Sequence, residues 1–340
     1  MNRFIFLLYS AFFAFFACKE NTPPANQSPV DPPVVQYSGN PAIDKLTDEI
    51  AQSPSNASLY AARGAAWYEN ENYDEGIADM EKAISLDSTR AGYYHLLADM
   101  YLDYYKSLKA LHTMEKAAAT FPKRIPTLLK LAEFQFILKQ YNDALFTLER
   151  IRAIDPQNAE MFFMFGRVFK DMNRMDEAAN AFQSAVENDP DHADAWVHLA
   201  QLMADKKSPL AERYFDNALR LDSNNIGVLH AKAYYLSNTM NDLRGAIEIY
   251  KKINTINPQY TAGYYNTGLL YLDMDSIARA YKSFDLAVQF APQSPDAYYH
   301  RGMAAEMMGN KKQALADYKT VLNFDPDFAS AIEGVKRLQK

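Results

Sequence analysis

Small, large and turn-forming residues return in the same order about every 34 residues through most of this chain. The stretches DEGIADMEKAISLDS, NDALFTLERIRAIDP, DEAANAFQSAVENDP and ARAYKSFDLAVQFAP show the pattern. Each sets a small residue, a large apolar residue four places on and another apolar residue three places further, and closes on Pro or Ser. Spacing of i, i+4 and i+7 marks one face of an α-helix. In register the units are 57–90, 91–124, 125–158, 159–192, 193–225, 226–260, 261–294 and 295–328. Position 8 of each unit is Gly64, Ala98, Ala132, Gly166, Ala200, Ala233, Gly268 and Gly302. Position 20 is Gly76, Ala110, Ala144, Ala178, Ala211, Ala246, Ala280 and Ala314. Gly and Ala fill roughly one place in six of the chain, so finding them at all sixteen positions is not an accident of composition.

Large residues stand beside the small ones. Position 4 holds Tyr60, Tyr94, Leu128, Phe162, Trp196, Leu229, Tyr264 and Tyr298, and position 24 holds Met80, Met114, Leu148, Phe182, Phe215, Tyr250, Phe284 and Tyr318. Position 32 is proline in six units and Ser88 or Ser223 in the others. Proline lacks an amide hydrogen and stops a helix there. This repeat resembles the tetratricopeptide repeat, a helix–turn–helix unit. The resemblance implies an all-α protein, a right-handed α-α superhelix of about eight helical hairpins. In such a hairpin the two helices cross where only hydrogen or methyl fits; a larger side chain overpacks the crossing at about 1–3 kcal/mol. Residues 41–53 match a lone second helix closing the front, and 329–339 a closing helix at the back. Terminal caps keep a stacked array soluble. The resemblance covers about 300 residues. It is specific for fold and nearly silent on function.

The first seventeen residues follow another pattern. Met1-Asn2-Arg3 precedes a nearly all-apolar run from Phe4 to Ala17. Fourteen helical residues rise about 21 Å, short of a hydrocarbon core about 30 Å thick. A charged start, a short apolar stretch and a small final residue describe a signal peptide over 1–17. Phe15-Phe16-Ala17-Cys18 resembles the lipobox of bacterial lipoproteins, although Phe15 stands where that family usually has Leu. The resemblance implies a lipid on the Cys18 thiol and cleavage before it. Cys18 is the sole cysteine, so no internal disulfide can form. Residues 18–40 carry Pro23, Pro24, Pro29, Pro32 and Pro33, and read as a disordered tether. The superhelix is then expected over 41–340.

Charge and chemistry narrow the function classes. Net charge is −7, or −8 without the Arg3-bearing segment (−7 − 1). Such a surface repels phosphate backbones, so nucleic acid is not an expected partner. HExxH, GxSxG, GxxxxGK[ST] and GxGxxG are absent, and the six histidines include no i, i+4 pair. No unit departs from 34 residues by more than one, which leaves no insertion to house a catalytic site. We therefore expect no enzyme, no cofactor and no metal.

In the repeat family the first helix of each hairpin lines a concave face through positions 5, 9, 12 and 13. Position 13 holds Glu69, Asp103, Asp171, Asp205 and Asp273, a partial acidic ridge suited to a basic partner. An apolar patch is expected from Tyr265, Leu269 and Leu272 beside Tyr299, Met303 and Met307, with a second at Leu129, Phe136 and Ile137. The Lys/Asn clamp with which some members bind acidic chaperone tails is missing. The expectation is a scaffold for other envelope proteins or peptides, lipid-anchored to the cell envelope at the outer membrane. The alternative is a ligand-capturing lipoprotein of a nutrient-uptake or secretion system.

Overall fold

The computed structural model describes residues 37–340, which form eighteen α-helices and, among the described residues, no strand. A front cap, α1 (Pro41–Gln52), precedes eight hairpins. These are α2 (Ala57–Glu69) with α3 (Tyr73–Leu86), α4 (Ala91–Asp103) with α5 (Ser107–Thr120), α6 (Ile125–Ile137) with α7 (Tyr141–Arg152), and α8 (Ala159–Asp171) with α9 (Met175–Asn188). Then come α10 (Ala193–Asp205) with α11 (Leu210–Leu221), α12 (Ile226–Asn238) with α13 (Leu243–Ile256), α14 (Thr261–Asp273) with α15 (Ile277–Phe290), and α16 (Pro295–Met307) with α17 (Lys311–Phe324). The back cap α18 (Ala329–Leu338) ends one residue before the expected boundary, as α1 does, with Gln339 and Ser53 as their C-caps. The expected signal peptide, Cys18 and most of the tether lie outside the described residues. The tether's last residues are fastened to the front cap: the Tyr37 hydroxyl donates to Asp48 Oδ1 (2.7 Å), and the Ser38 amide donates to Asp44 Oδ1 (2.6 Å).

Every hairpin turns the same way. A residue just after each first helix takes the left-handed backbone conformation: the second one at Glu71, Tyr105, Lys139, Asn173, Lys207, Asp275 and Gly309, and the third one at Asn241, in the unit of 35 residues. A residue in that conformation is the usual terminator of an α-helix. Between hairpins a second device repeats. Asp87, Asp155, Asp189, Asp222, Asn257 and Asp325 each accept on Oδ1 from the amide two residues on, at 3.0–3.2 Å. This Asx turn carries the chain past proline or serine into the next first helix.

The crossings are as tight as the repeat requires. A Cβ at Gly166 would lie 2.5 Å from the Phe182 ring, and one at Gly268 would lie 2.5 Å from the Phe284 ring. Glycine at position 8 thus makes room for a flat ring at position 24, and Gly302 opposite Tyr318 repeats the pairing. Alanine serves where position 24 is Met114 or Leu148. Gly64, which faces Met80 and the Gly76 carbonyl, falls outside the rule; the pairs Ala200–Phe215 and Ala233–Tyr250 break it. They belong to the units of 33 and 35 residues, where the turn is altered by one residue.

A basic side chain at position 7 ties neighbouring hairpins together in three places. Arg301 on α16 donates to Asp317 on α17 (3.0 and 2.7 Å) and to Asp285 on α15 (2.7 Å). Arg63 on α2 donates to Asp79 on α3 (2.7 and 2.8 Å) and to Thr47 on α1 (3.1 Å). Lys232 on α12 donates to Asp216 on α11 (2.5 Å). Arg301 and Arg63 each thereby reach two successive second helices, and Lys232 reaches the second helix of the preceding hairpin.

Curvature follows from which helices meet. First helices of successive hairpins touch (α2 with α4, α4 with α6, α6 with α8, α10 with α12), whereas successive second helices make no comparable contact. Helices nearer the axis of a bent ribbon crowd and those on its outer side spread. The even-numbered helices α2 to α16 therefore line the concave face.

Candidate functional site

The concave groove is built from junctions between successive first helices. At its front, Lys130 meets Asp99 (2.7 Å), and His95 Nε2 lies 2.9 Å from Thr127 Oγ1. In the middle, the Arg167 guanidinium lies over the Phe136 ring at 4.6 Å. Lys170 Nζ donates to His198 Nδ1 (3.3 Å), which places the imidazole proton on Nε2. Toward the back, the Tyr260 hydroxyl lies 3.1 Å from His230 Nδ1, and that of Tyr265 lies 3.3 Å from His300 Nδ1.

Burial pushes the His95, His198 and His230 imidazoles below their ordinary range, with His198 reaching about 4; the Lys170 charge adds to its shift. His192 goes the other way, held up by its hydrogen bond to Glu160 (3.2 Å). His198 stacks on Phe182 (5.0 Å) and lies against Phe163 (5.8 Å), so it works as an aromatic wedge between hairpins. An unfolded imidazole binds a proton below about 6.5, whereas this one stays neutral in the fold until about 4. Its contribution to stability is complete above about 6.5 and lost as the pH falls toward 4. Between pH 7 and 5 the wild type should lose about 1 kcal/mol more than His198→Phe in urea titrations, a figure already reduced for solvent at the ring edge. A carbon-bound imidazole proton titrating with a midpoint above 6 would refute the assignment.

The five acids of position 13 are all exposed, and each is the last residue of its first helix. They stand in register along one edge of the groove. Two are engaged from adjacent hairpins: Tyr68 donates its hydroxyl to Asp103, and Tyr141 donates to Asp171. Asp205 borders a hollow of about 250 Å3 that it shares with Gln201, His230 and Tyr234.

The apolar residues are placed unevenly. Met307 and Ile137 are exposed (58% and 45%), whereas Leu129 and Met303 are half-buried. Phe136 lies beneath Arg167. Tyr265, Leu269 and Leu272 rest on Phe284 and Ala280 of their own hairpin. Tyr299 lies against Phe328 (5.1 Å), the residue that caps α18. The exposed anchor absent from the sequence reading is Tyr234, at 61%. It occupies position 9 of the sixth unit, so the groove register alone contained the signal.

Among the described residues there is no group of His, Cys, Asp and Glu able to hold a metal ion, and no helix long and apolar enough to cross a membrane.

Comparison with known proteins finds the Tetratricopeptide repeat family description at residues 57–90, 108–162, 163–226 and 295–328, together more than half of the chain. Two of these ranges coincide with the units read from the sequence. The C-terminal part of a TPR repeat-containing protein from Cytophaga hutchinsonii superposes with a TM-score of 0.62 at 17% identity, over 70% of this chain and 98% of that one. DnaJ homolog subfamily C member 7 of Mus musculus is 23% identical over 84% of this chain and 70% of its own length. Protein O-mannosyl-transferase Tmtc3 of Drosophila melanogaster is 28% identical over 43% of this chain, which spans 16% of that protein's length.

Proposed function

Because the chain belongs to the tetratricopeptide repeat family, we propose that it is a non-enzymatic protein-interaction scaffold, held at the bacterial cell envelope by a lipid on Cys18. Members of this family generally bind proteins or peptides. The observation that carries the reading is the concave groove, where Ile137, Tyr234 and Met307 stand exposed beside a solvated acidic edge. An anchor pocket with a charged rim is how extended or helical segments are gripped. Carboxylates at helix C-termini oppose the helix dipole by about 0.3–1 kcal/mol each. A cation docked along that edge relieves the opposition, so the preferred segment carries Lys or Arg beside a large apolar residue.

The anchor reading rests on Ala17-Cys18 after an apolar run. Two or more acyl chains hold a protein stably on a bilayer. The outer membrane is the expected site.

Two measurements test the proposal. The full chain, crosslinked in envelope preparations, should capture a defined protein, and Asp171→Lys with Asp205→Lys and Tyr234→Ala should lower that capture at least about tenfold. Equal capture by wild type and variant would sink the groove assignment. Cys18→Ser should move the chain from the membrane fraction to the soluble fraction and abolish labelling by a radioactive fatty acid. Retention of the label would refute the anchor.

A further inference from the structure

On the convex side, six of the gaps between successive second helices fall into two kinds; at the other two, over α8 and α10, position 7 is Phe165 and Leu199. At the junctions of α16, α2 and α12 the position-7 cation fills the gap, held by the surrounding side chains. At α4, α6 and α14 position 7 is Leu97, Leu131 and Thr267. There the gap stays open, as clefts of about 840, 390 and 700 Å3. The three clefts are equivalent in register but differ in chemistry.

The cleft over α14 is the charge inverse of the Arg301 junction. The Arg301 gap has acidic walls, Asp285 and Asp317, and supplies its own cation. The α14 cleft has Lys251 on the α13 wall and Arg279 and Lys282 on the α15 wall, and no acidic residue lines it. Among the described residues neither Arg279 nor Lys282 has a carboxylate within 4.0 Å; Asp285, next along α15, is committed to Arg301. Lys251 does meet Glu248 (2.7 Å), but that pair is solvent-exposed and exchanges at little cost.

A second observation is independent of charge. Thr267 and Ser283 line this cleft and are buried (6% and 8% exposed), yet neither hydroxyl has a hydrogen-bond partner among the described residues. Neither is sealed from solvent, so both remain available from the cleft. In the other two clefts the residue equivalent to Ser283 is satisfied: Thr113 donates to the Lys109 carbonyl (2.8 Å) and Thr147 to Gln135 Oε1 (2.8 Å). Buried hydroxyls are normally paired. Because the Thr267 and Ser283 oxygens face the cleft without a protein partner, an acceptor bound there can replace solvent on both.

The geometry points to a ligand site in this cleft for a small molecule carrying an oxyanion, with Arg279, Lys282 and Lys251 supplying charge and Thr267 and Ser283 donating hydrogen bonds. Its volume suits a small ligand. Tyr264, Tyr271 and Leu286 give the ligand's remainder an apolar bed. The site lies on the face opposite the groove and stands or falls independently of it.

Calorimetric titration of the full chain at low ionic strength tests the assignment, with inorganic phosphate, phenyl phosphate and glutarate as probes. At least one should bind saturably with a Kd of about 1 mM or tighter. Preference for a phosphate probe or for glutarate identifies which oxyanion the site takes, and a gain from phenyl phosphate over phosphate reports the tyrosine bed. Arg279→Glu with Lys282→Glu should weaken binding at least about tenfold. The near-isosteric pair Thr267→Val and Ser283→Ala should weaken it about threefold or more while preserving the melting curve. Lys109→Glu, at the equivalent position in the cleft over α4, should change nothing. Absence of saturable binding for all three probes, or equal binding by wild type and the Arg279/Lys282 variant, would overturn the site.

Discussion

Replacing Arg301 by methionine should destabilise the C-terminal end of the array by about 3–5 kcal/mol. The guanidinium is the main partner of Asp317, whose side chain is 3% exposed, and it also holds Asp285. Methionine keeps an unbranched apolar side chain but strands a buried carboxylate, which then keeps only the Gln313 amide (3.0 Å). The cost is that of an orphaned charge rather than a lost contact. Arg301→Met combined with Asp317→Leu should therefore recover most of the loss, since replacing both members of a buried pair is often near neutral. Urea titration followed by circular dichroism measures both. Neighbour-coupled arrays unfold by segments, so the single variant should show a separate early transition. A single-variant loss below about 1 kcal/mol would mean that the buried pair does not hold this junction.

The second large effect is expected at the helix crossing of the seventh hairpin. Gly268→Val should cost about 3 kcal/mol, the upper end of the overpacking range. Even its Cβ would sit 2.5 Å from the Phe284 ring, and Phe284 is 0% exposed, so the ring cannot swing into solvent. Phe284→Leu in the same chain should recover part of the loss by removing the ring face. Gly92→Ala is the control: nothing lies within 4 Å of a Cβ there, and alanine should be neutral or stabilising by up to about 1 kcal/mol. Equal melting temperatures for Gly268→Val and wild type would contradict the close crossing on which every hairpin depends.

These two residues were not equally visible in the sequence. Gly268 was legible because its requirement is local and repeats: glycine or alanine recurs eight times at the same place in the register. The unit boundaries and prolines were legible for the same reason. In the sequence Arg301 is one cation among 35 lysines and arginines. Its role depends on Asp285 and Asp317, each sixteen residues away and reached only once the second helices are spread around it. The groove was half legible. Position 13 located the acidic edge, but Tyr68 and Tyr141 reach Asp103 and Asp171 from other hairpins, and no single unit encodes that. Tyr299 belongs to a first-helix face by register, yet Phe328 folds against it because the chain turns there into its last cap. The α14 cleft was invisible, since it is defined by what position 7 fails to fill.

The position-7 bridges have a mechanical consequence. Cross-braces of this kind stiffen both extremities of the ribbon and the stretch around α12. The joints without such a bridge, over α4, α6, α8, α10 and α14, bend and twist more easily. A load pulling the two ends of the ribbon apart would then be absorbed as flexure at those joints, leaving the braced segments to move as rigid blocks.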